Sequence, residues 1–258
     1  MGLAPFLRPV PTLNMRKLLQ LILALTIVSS PQGRAETVML TSLEWPPYSG
    51  EELPNQGTAI EVARAAFQAA GHTLLVDFFP WSRTIATVQT SENHIGYLPE
   101  YKFDTDVFVM SAPIGISTVG FAERRSAPVH WDNLDDLSMV TVGVVQDYAN
   151  TPDLDARIAA GSIQVSEAIT DSQNLLKLAA GRVDLVVIDP EVLAYLCDHN
   201  PRVRAISDQL QMNPKTLATQ TLHVAFENTE AGRRWLAIFN EALAGIEIPG
   251  AREASPQQ

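Results

Sequence analysis

The feature that most constrains the fold is a regular alternation of short apolar runs with amphipathic stretches of helical period. Residues 38–43 have the pattern of a strand, 58–70 that of a helix and 74–79 that of a second strand. The same order restarts with the apolar run 140–145 and continues to the apolar run 183–188. Strands that alternate with helices favour parallel sheets with helices packed on both faces. The sequence therefore predicts an α/β protein with two such units.

Local signals predict where several of these elements begin and end. Thr58 and Glu61 match a capping box at the start of the first helix, and Asp171 is predicted to cap a later one. Residues 94–98 predict a short third strand that ends at the following proline, because proline cannot donate to a strand ladder. Residues 203–206 have the pattern of another short strand.

The order of the elements also predicts how the chain is divided. A final strand and helix are left over after the second unit, so the chain should return to the first lobe at its end. Segments 112–115 and 219–222 lie between the two units, where few contacts should connect one unit to the other. They are therefore the predicted hinges. The predicted division is a signal peptide at 1–35, lobe 1 at 36–113, lobe 2 at 114–220, the rest of lobe 1 at 221–247 and a flexible polar tail at 248–258.

Residues 1–35 have the layout of a secretory signal peptide. A basic pair, Arg16 and Lys17, precedes an apolar run at 18–28, and small residues stand one and three before the predicted cleavage at the end of the segment. A membrane anchor is the alternative, but spanning a bilayer takes roughly 20 apolar residues, and this run has only 11. Met15 offers a second start. The chain is therefore predicted to be exported to the periplasm and cleaved.

Charge and cysteine content narrow the classes of partner. The chain has 18 Lys and Arg residues against 29 Asp and Glu, a net charge of −11. Cleavage after residue 35 removes four basic residues and no acid, which makes the charge −15. Such acidity disfavours nucleic acid or an anionic membrane as a partner. The single cysteine, Cys197, cannot form an internal disulfide and is predicted to be a buried, inert thiol.

Sequence motifs for catalysis or metal binding are missing. There is no H-E-x-x-H, C-x-x-C or P-loop pattern, and the five histidines are scattered without the spacing of metal ligands. We therefore expect no catalytic residue, no metal and no cofactor. The expected partner is a small molecule, bound by a monomer.

Candidate binding residues follow from the rule that ligands in open parallel sheets bind beyond the carboxyl ends of the strands. Two such edges that face each other would form a cleft with apolar walls and a few polar anchors. The rule selects aromatic, polar and charged residues in both units, namely Glu44, Trp45, Tyr48, Trp81, Arg83, Glu100, Lys102, Gln146, Asp147, Tyr148 and Asp189.

Several of these residues also have a purely structural interpretation. Trp45 and Tyr48 flank two prolines and could simply fix a turn. Trp81 begins an apolar helix face and could belong to the core, whereas Asp189 could merely cap the next helix. Arg83 and the remaining charged residues could be solvated.

Five stretches carry a resemblance to a known family. They are 44–48 (Glu-Trp-Pro-Pro-Tyr), 79–83 (Phe-Pro-Trp-Ser-Arg), 111–114 (Ser-Ala-Pro-Ile), 142–145 (Val-Gly-Val-Val) and 175–189, the most specific one. These stretches occur in the order and spacing that is typical of the family 3 extracellular solute-binding proteins, and the chain resembles this family. Its members mostly deliver amino acids to ABC importers. The resemblance implies a two-lobed periplasmic binding protein fold of type II, with parallel-rich sheets, flanking helices and a ligand cleft between the lobes.

The resemblance also implies roles for three residues. Tyr48 and Trp45 would stack on the ligand, and Asp189 would meet an amino group of the ligand. The two lobes would be joined by a hinge of two crossover strands and would close on the ligand.

Two positions depart from the family pattern. The arginine that grips an α-carboxylate shortly after the third strand is missing, so Arg83 or Lys102 would have to supply that positive charge. The small glycine-threonine pair after residue 145 is replaced by Asp147 and Tyr148. Both departures weaken the expectation of an ordinary α-amino acid as the ligand.

Three functions are compatible with this pattern. The first is binding of a small polar solute, an amino acid or an amine, for delivery to an ABC importer. The second is a periplasmic enzyme on the same scaffold, of the dehydratase type, in which Glu100 near Lys102 or Arg83 would serve as an acid. The third is a ligand sensor that works without an importer. Fold alone does not separate these three.

Overall fold

A computed structural model of the protein describes residues 34–248. The predicted signal peptide, except its last two residues, and the predicted tail beyond residue 248 lie outside this range. The described strands are β1 (Thr37–Ser42), β2 (Thr73–Phe78), β3 (His94–Tyr101), β4 (Phe108–Met110), β5 (Gly115–Arg124), β6 (Thr141–Val145), β7 (Gln164–Ala168), β8 (Leu185–Ile188) and β9 (Leu210–Glu227).

Helices connect most of these strands. The described α-helices are α1 (Thr58–Ala69), α2 (Trp81–Thr90), α3 (Pro152–Ala159), α4 (Asp171–Ala179), α5 (Pro190–His199), α6 (Pro201–Arg204) and α7 (Glu230–Leu243). Short 3-10 helices cover Pro54–Gln56, Leu134–Met139 and Ser207–Gln209. The predicted α/β alternation is therefore confirmed, with most element ends within one or two residues of the sequence pattern.

The strands form one mixed sheet with two parallel ends. Its order is β2-β1-β3-β9-β5-β8-β6-β7, and β4 also pairs with β9. At one end β1 runs parallel to β2 and β3, and at the other end β6 runs parallel to β7 and β8. We call β1–β3 with α1 and α2 the first half, and β6–β8 with α3 and α4 the second half. In each half, ligand-facing residues should therefore lie at the carboxyl edge of the parallel strands.

Two long antiparallel strands join the halves. β5 has 10 residues and β9 has 18, and they pair with each other along most of β5. β5 also pairs with β8 of the second half, whereas β9 pairs with β3 of the first half. The predicted crossover between the halves is thus a pair of hydrogen-bonded strands.

The apolar core follows the predicted helix and strand faces. One buried cluster includes Ile60, Phe67 and Phe239 and continues into the second half through Leu178 and Val186. A second buried cluster lies between the strands and helices of the second half. Burying side chains of this size contributes about 1.5–3 kcal/mol each, so both clusters hold the strand edges in place.

The start of α1 differs from the predicted capping box. Gly57, not Thr58, is the N-cap residue, and no side chain caps this helix. Glu61 instead accepts a hydrogen bond from the Nδ2 atom of Asn55 at 3.0 Å. The reason is that the φ angle of Gly57 is +103°, which favours glycine and sets the helix start one residue earlier.

Two strand predictions were also wrong. β3 continues past Pro99 to Tyr101, and the pairing of β3 with β9 shifts register between Tyr97 and Glu100, so the irregularity accommodates the missing proline N–H. Residues 203–206 are not a strand: Val203 and Arg204 end helix α6, and the next two residues form a turn. The side chain of Asn200 caps α6 and Pro201 is its first residue, a combination that outweighs the apolar pattern.

Asp171 and Cys197 differ from their predicted roles. Asp171 is the first residue of α4, and Thr170 is the cap, because its side chain accepts a hydrogen bond from the backbone N–H of Gln173. Cys197 is a free thiol that is only partly buried. The side chain of Asp171 is therefore not needed to start its helix.

Candidate functional site

A tight turn after β1 holds Trp45 and Tyr48 together. The backbone N–H of Trp45 donates to the carbonyl of Ser49 at 2.9 Å, and the N–H of Tyr48 donates to the carbonyl of Trp45 at 3.0 Å. The two ring centroids lie 4.5 Å apart. A Cβ atom on Gly57 would stand 2.5 Å from the carbonyl oxygen of Tyr48, so glycine lets α1 pack against this turn.

The carboxylate of Asp189 binds three separate segments of the chain. Its Oδ2 atom accepts hydrogen bonds from the Tyr48 hydroxyl at 2.9 Å and from the Ser117 hydroxyl at 2.6 Å. It also accepts one from the backbone N–H of Thr118 at 3.0 Å. The Oδ1 atom accepts one from the N–H of Glu191 at 2.7 Å, as the cap of α5. A carboxylate offers about four acceptor sites, so protein groups occupy the capacity of this buried side chain.

Burial fixes the protonation of the tyrosine hydroxyl in this network. Burial first, and then the charge of Asp189, raise the pKa of Tyr48 well above its ordinary value. The Tyr48 hydroxyl therefore keeps its proton and acts as a donor. Tyr101 joins the same network, since its hydroxyl lies 3.0 Å from that of Ser117. The network links the strand ends of the first half to β5 and to the end of β8.

A small cavity lies where the strand ends of the two halves meet. About 60 Å³ of space remains between its walls. Side chains from both halves and from the crossover strands line it, including Leu43, Trp45, Trp81, Glu100, Tyr101, Val119, Val145, Tyr148, Asn150, Asp171, Val187, Asp189 and Leu222. Of the described residues, no lysine or arginine belongs to this lining.

Aromatic rings form much of the cavity wall. Trp45 meets Tyr101 edge to face with centroids 6.1 Å apart, and Trp81 meets Tyr148 in the same way at 6.0 Å. Trp81 also packs on the buried Tyr97 at 5.5 Å. Each of the two wall pairs brings a tryptophan together with a tyrosine. Such walls suit an apolar body or a cation, which binds to the faces of aromatic rings.

Glu100 is a buried carboxyl group at the end of β3. Its Oε2 atom accepts a hydrogen bond from the Tyr97 hydroxyl at 3.0 Å, and Oε1 accepts one from the backbone N–H of Tyr101 at 2.7 Å. Burial raises its pKa to about 7, although both hydrogen bonds act in the opposite direction. Near neutral pH, this group therefore exchanges readily between its charged and neutral forms.

Asp171 is a second buried carboxyl group in the cavity wall, and the strand-end rule had not selected it. Only 9% of its surface is exposed. Within the described residues, no other residue donates a hydrogen bond to its carboxyl group. Burial, with a smaller contribution from the charge of Asp189, raises its pKa to about 7. The rule missed it because the sequence pattern ended the preceding strand at residue 165, whereas β7 continues to Ala168.

The structure brings five of the predicted site residues to the cavity. Trp45, Trp81, Glu100, Tyr148 and Asp189 all line it. A sixth, Tyr48, lies against it through its hydrogen bond to the Asp189 carboxylate and its ring contact with Trp45.

Four other predicted residues are exposed and do not line the cavity. Glu44 accepts a hydrogen bond from the N–H of Glu51 in the turn after β1. The guanidinium of Arg83 lies over the ring of Phe79, 4.9 Å from its centroid. Lys102 and Gln146 are also exposed. The positive charge that would replace the family's arginine is therefore not supplied to the cavity wall by Arg83 or Lys102.

Asp147 connects the two halves beside the cavity. It has a φ angle of +62°, which is uncommon for a residue other than glycine. Its carbonyl accepts a hydrogen bond from the Trp81 Nε1 atom at 3.0 Å, and its carboxylate accepts one from the Ser82 hydroxyl. The start of α2 is thus held against the loop that follows β6.

Comparisons with known proteins identify the fold. No family model and no curated protein matches the sequence. Among solved structures, a histidine kinase sensor domain with similarity to periplasmic binding proteins is 22% identical, with a TM-score of 0.68 over 82% of this chain and 90% of that chain.

Two further solved structures are amino-acid complexes. The arginine-bound form of truncated ArgBP from T. maritima is 18% identical, with a TM-score of 0.64 over 84% of this chain and 98% of that one. The GluR0 ligand-binding core from Nostoc punctiforme in complex with (L)-glutamate is 16% identical, with a TM-score of 0.63 over 80% and 91% of the two chains. The chain therefore has the two-lobed fold of the periplasmic binding proteins.

Proposed function

We propose that the protein binds a small polar ligand with a positively charged amino group and closes on it in the cavity between the halves. The observation that carries this proposal is the composition of the cavity wall. Three buried carboxyl groups and four large aromatic rings contribute to it, without any lysine or arginine from the described residues. A cation in this space would offset the carboxylate charges and contact ring faces.

The paired strands between the halves support closure of the two lobes. We infer hinges at 112–115 and 219–222, where the N–H of Ile114 donates to the carbonyl of Leu222 at 2.7 Å. Lobe 1 would comprise 36–113 and 221–247, and lobe 2 would comprise 114–220. The first segment leads into β5 and the second lies within β9, so the rotation would fall on a few residues of the two crossover strands.

Transport and sensing are both compatible with such a binder. Delivery to an ABC importer by a monomeric periplasmic protein is the first candidate, in line with the predicted signal peptide. The solved structures with the same fold include a histidine kinase sensor domain as well as the arginine-bound ArgBP. A sensor without an importer is therefore the second candidate. No helix in the described part of the chain is long and apolar enough to cross a membrane.

The enzyme alternative receives less support. A dehydratase-like mechanism would need a carboxylic acid poised by a neighbouring cation. Glu100 has a raised pKa, but its described hydrogen-bond partners are Tyr97 and the backbone of Tyr101. Arg83 and Lys102, the two proposed cations, are exposed and outside the cavity wall. We propose binding without turnover, and no metal or cofactor.

A thermal-shift panel tests the ligand class. The purified protein is heated with polyamines, basic amino acids, neutral amino acids and dicarboxylates at equal concentrations. A ligand at a hundredfold excess over its dissociation constant adds about 2.7 kcal/mol to the free energy of unfolding, so an amine should clearly raise the melting temperature. Stabilisation by a dicarboxylate and by no amine would refute the proposal.

A further inference from the structure

We propose, building on the function above, that the ligand is a short diamine without a carboxylate, bound by Asp171 at one end and by Glu100 at the other. The two carboxyl groups come from opposite halves, since Glu100 is the second-last residue of β3 and Asp171 begins α4. Both line the same cavity. A ligand with a cation at each end would therefore connect the two halves.

Of the three acids in the cavity wall, Asp171 has the most hydrogen-bond acceptor sites that are not used by the protein. It is 9% exposed and lines the cavity, and no other described residue donates a hydrogen bond to its carboxyl group. Thr170 caps the helix in its place. Asp189, by contrast, already accepts four hydrogen bonds from the protein. An incoming ammonium group would find free acceptor sites on Asp171 and few on Asp189.

Glu100 offers a second, partly used acceptor. Its two oxygens each accept one hydrogen bond, from the Tyr97 hydroxyl and from the N–H of Tyr101. A carboxylate has about four acceptor sites, so roughly two remain for a ligand. His223 pairs with Glu100 across β3 and β9, but burial lowers its pKa, so this histidine does not supply a permanent cation.

A ligand carboxylate would have no partner in this cavity. Of the described residues, the wall contains no lysine or arginine, so a carboxylate would face Glu100, Asp171 and Asp189 without compensation. The cavity of about 60 Å³ also limits the length of the ligand. A compact ligand therefore suits this space better than a long one. A chain of three or four carbons with an amine at each end fits this limit.

Binding of a diamine should release protons. The groups that face Asp171 are the carboxylate of Asp189 and the hydroxyls of Tyr101 and Tyr148, and burial raises the pKa of both hydroxyls. None of them can neutralise a charge on Asp171. An ammonium group beside Asp171 would favour its ionised form, and the proton would pass to the buffer.

The same linkage applies to Glu100. The groups beside it are the hydroxyls of Tyr97 and Tyr101. His223 is opposite Glu100 on β9, and burial, with a smaller effect of Lys102, lowers the pKa of this histidine. With a pKa of about 7, Glu100 is mainly neutral at pH 6 and mainly ionised at pH 8. Diamine affinity should therefore fall by about tenfold per carboxyl group between pH 8 and pH 6.

Calorimetry with a matched pair of probes tests the inference. The probes are 1,4-diaminobutane and ornithine, which is the same diamine with one added carboxylate, and butylamine serves as the probe with a single cation. We expect the diamine to bind about tenfold or more tightly than either of the others. Titration in buffers of different ionisation enthalpy should show proton release near pH 7. Equal or tighter binding of ornithine would overturn the inference.

Two variants separate the binding role of Asp171 from a structural one. Asp171→Asn keeps the shape of the side chain and removes its charge, so the protein should fold but bind the diamine about tenfold or more weakly. Asp208→Asn, at an exposed aspartate outside the cavity, should bind like the parent. If Asp171→Asn binds the diamine as tightly as the parent, Asp171 is not the ligand's partner. The proposal that the ligand is an amine would not be affected by this result. If no amine of any kind binds, the proposed function fails as well.

Discussion

At the residue scale, Asp171 gives the sharpest test of the buried charges. Its pKa is raised from 3.8 to about 7 by burial, so without ligand the folded protein binds a proton here that the unfolded chain has lost. This contribution to stability is complete below about pH 4 and disappears as the pH rises through 7, with a change of up to about 4 kcal/mol. Asp171→Asn should flatten the pH dependence of the free energy of unfolding, measured by urea denaturation from pH 5 to pH 8. An unchanged slope would contradict the assignment.

Tyr48 and Trp45 should respond differently to substitution, although they share one turn. Tyr48→Phe removes a buried hydroxyl that donates to the Asp189 carboxylate, and such bonds to charged groups contribute about 1.5–3 kcal/mol. We expect a lower melting temperature. Trp45→Ala removes a half-buried wall of the cavity and should weaken amine binding several-fold with a smaller change in stability. Calorimetry and thermal melts of both variants test this. If Tyr48→Phe mainly weakens binding and Trp45→Ala mainly lowers the melting temperature, Tyr48 is the binding residue and Trp45 the structural one.

The strand-end rule found much of the site at this scale, because the carboxyl edges of parallel strands are fixed by topology. Trp45 and Trp81 follow strands whose ends the apolar pattern marks clearly, whereas Glu100 lies within β3, which continues to Tyr101. Arg83 was selected by its position alone, and the sequence could not show that its guanidinium would turn onto the ring of Phe79. Asp171 was missed because a half-exposed strand has no sharp apolar end.

At the element scale, the contact between α2 and the loop after β6 should control how readily the cleft opens. Trp81 and Ser82 at the start of α2 both donate to Asp147. The double variant Trp81→Phe with Ser82→Ala removes both donors and keeps an aromatic ring at the cavity. Without ligand, it should have a larger radius of gyration than the parent in small-angle scattering, and saturating ligand should restore the parent value. Identical radii without ligand would mean that this contact does not hold the halves together.

The long crossover strand shows where sequence patterns fail for whole elements. Only 222–226 were predicted as a strand, because the apolar run begins there. β9 in fact starts at Leu210 and includes the exposed residues Pro214 and Lys215. Its first part is held by pairing with β5 and not by burial of alternate side chains. Long-range pairing of this kind leaves a weak local signal.

At the scale of the whole molecule, the fold was predictable and the ligand was not. Two α/β units in sequence, with a strand and helix left over, lead to the observed mixed sheet with parallel ends. The charge of the cavity depends on which acids are buried there, and this is decided by packing over long sequence distances. Glu100 and Asp171 are separated along the chain but line one cavity.

Native mass spectrometry tests the central claim that this cavity selects a cationic amine. The protein is mixed with equimolar 1,4-diaminobutane, ornithine, glutamine and succinate. The mass of the complex shows which of the four compounds is bound. We predict a one-to-one complex with the diamine at pH 8, which is depleted at pH 6 and in Asp171→Asn and is retained in Asp208→Asn. A complex with succinate, or no complex with either amine-rich probe, would contradict the account.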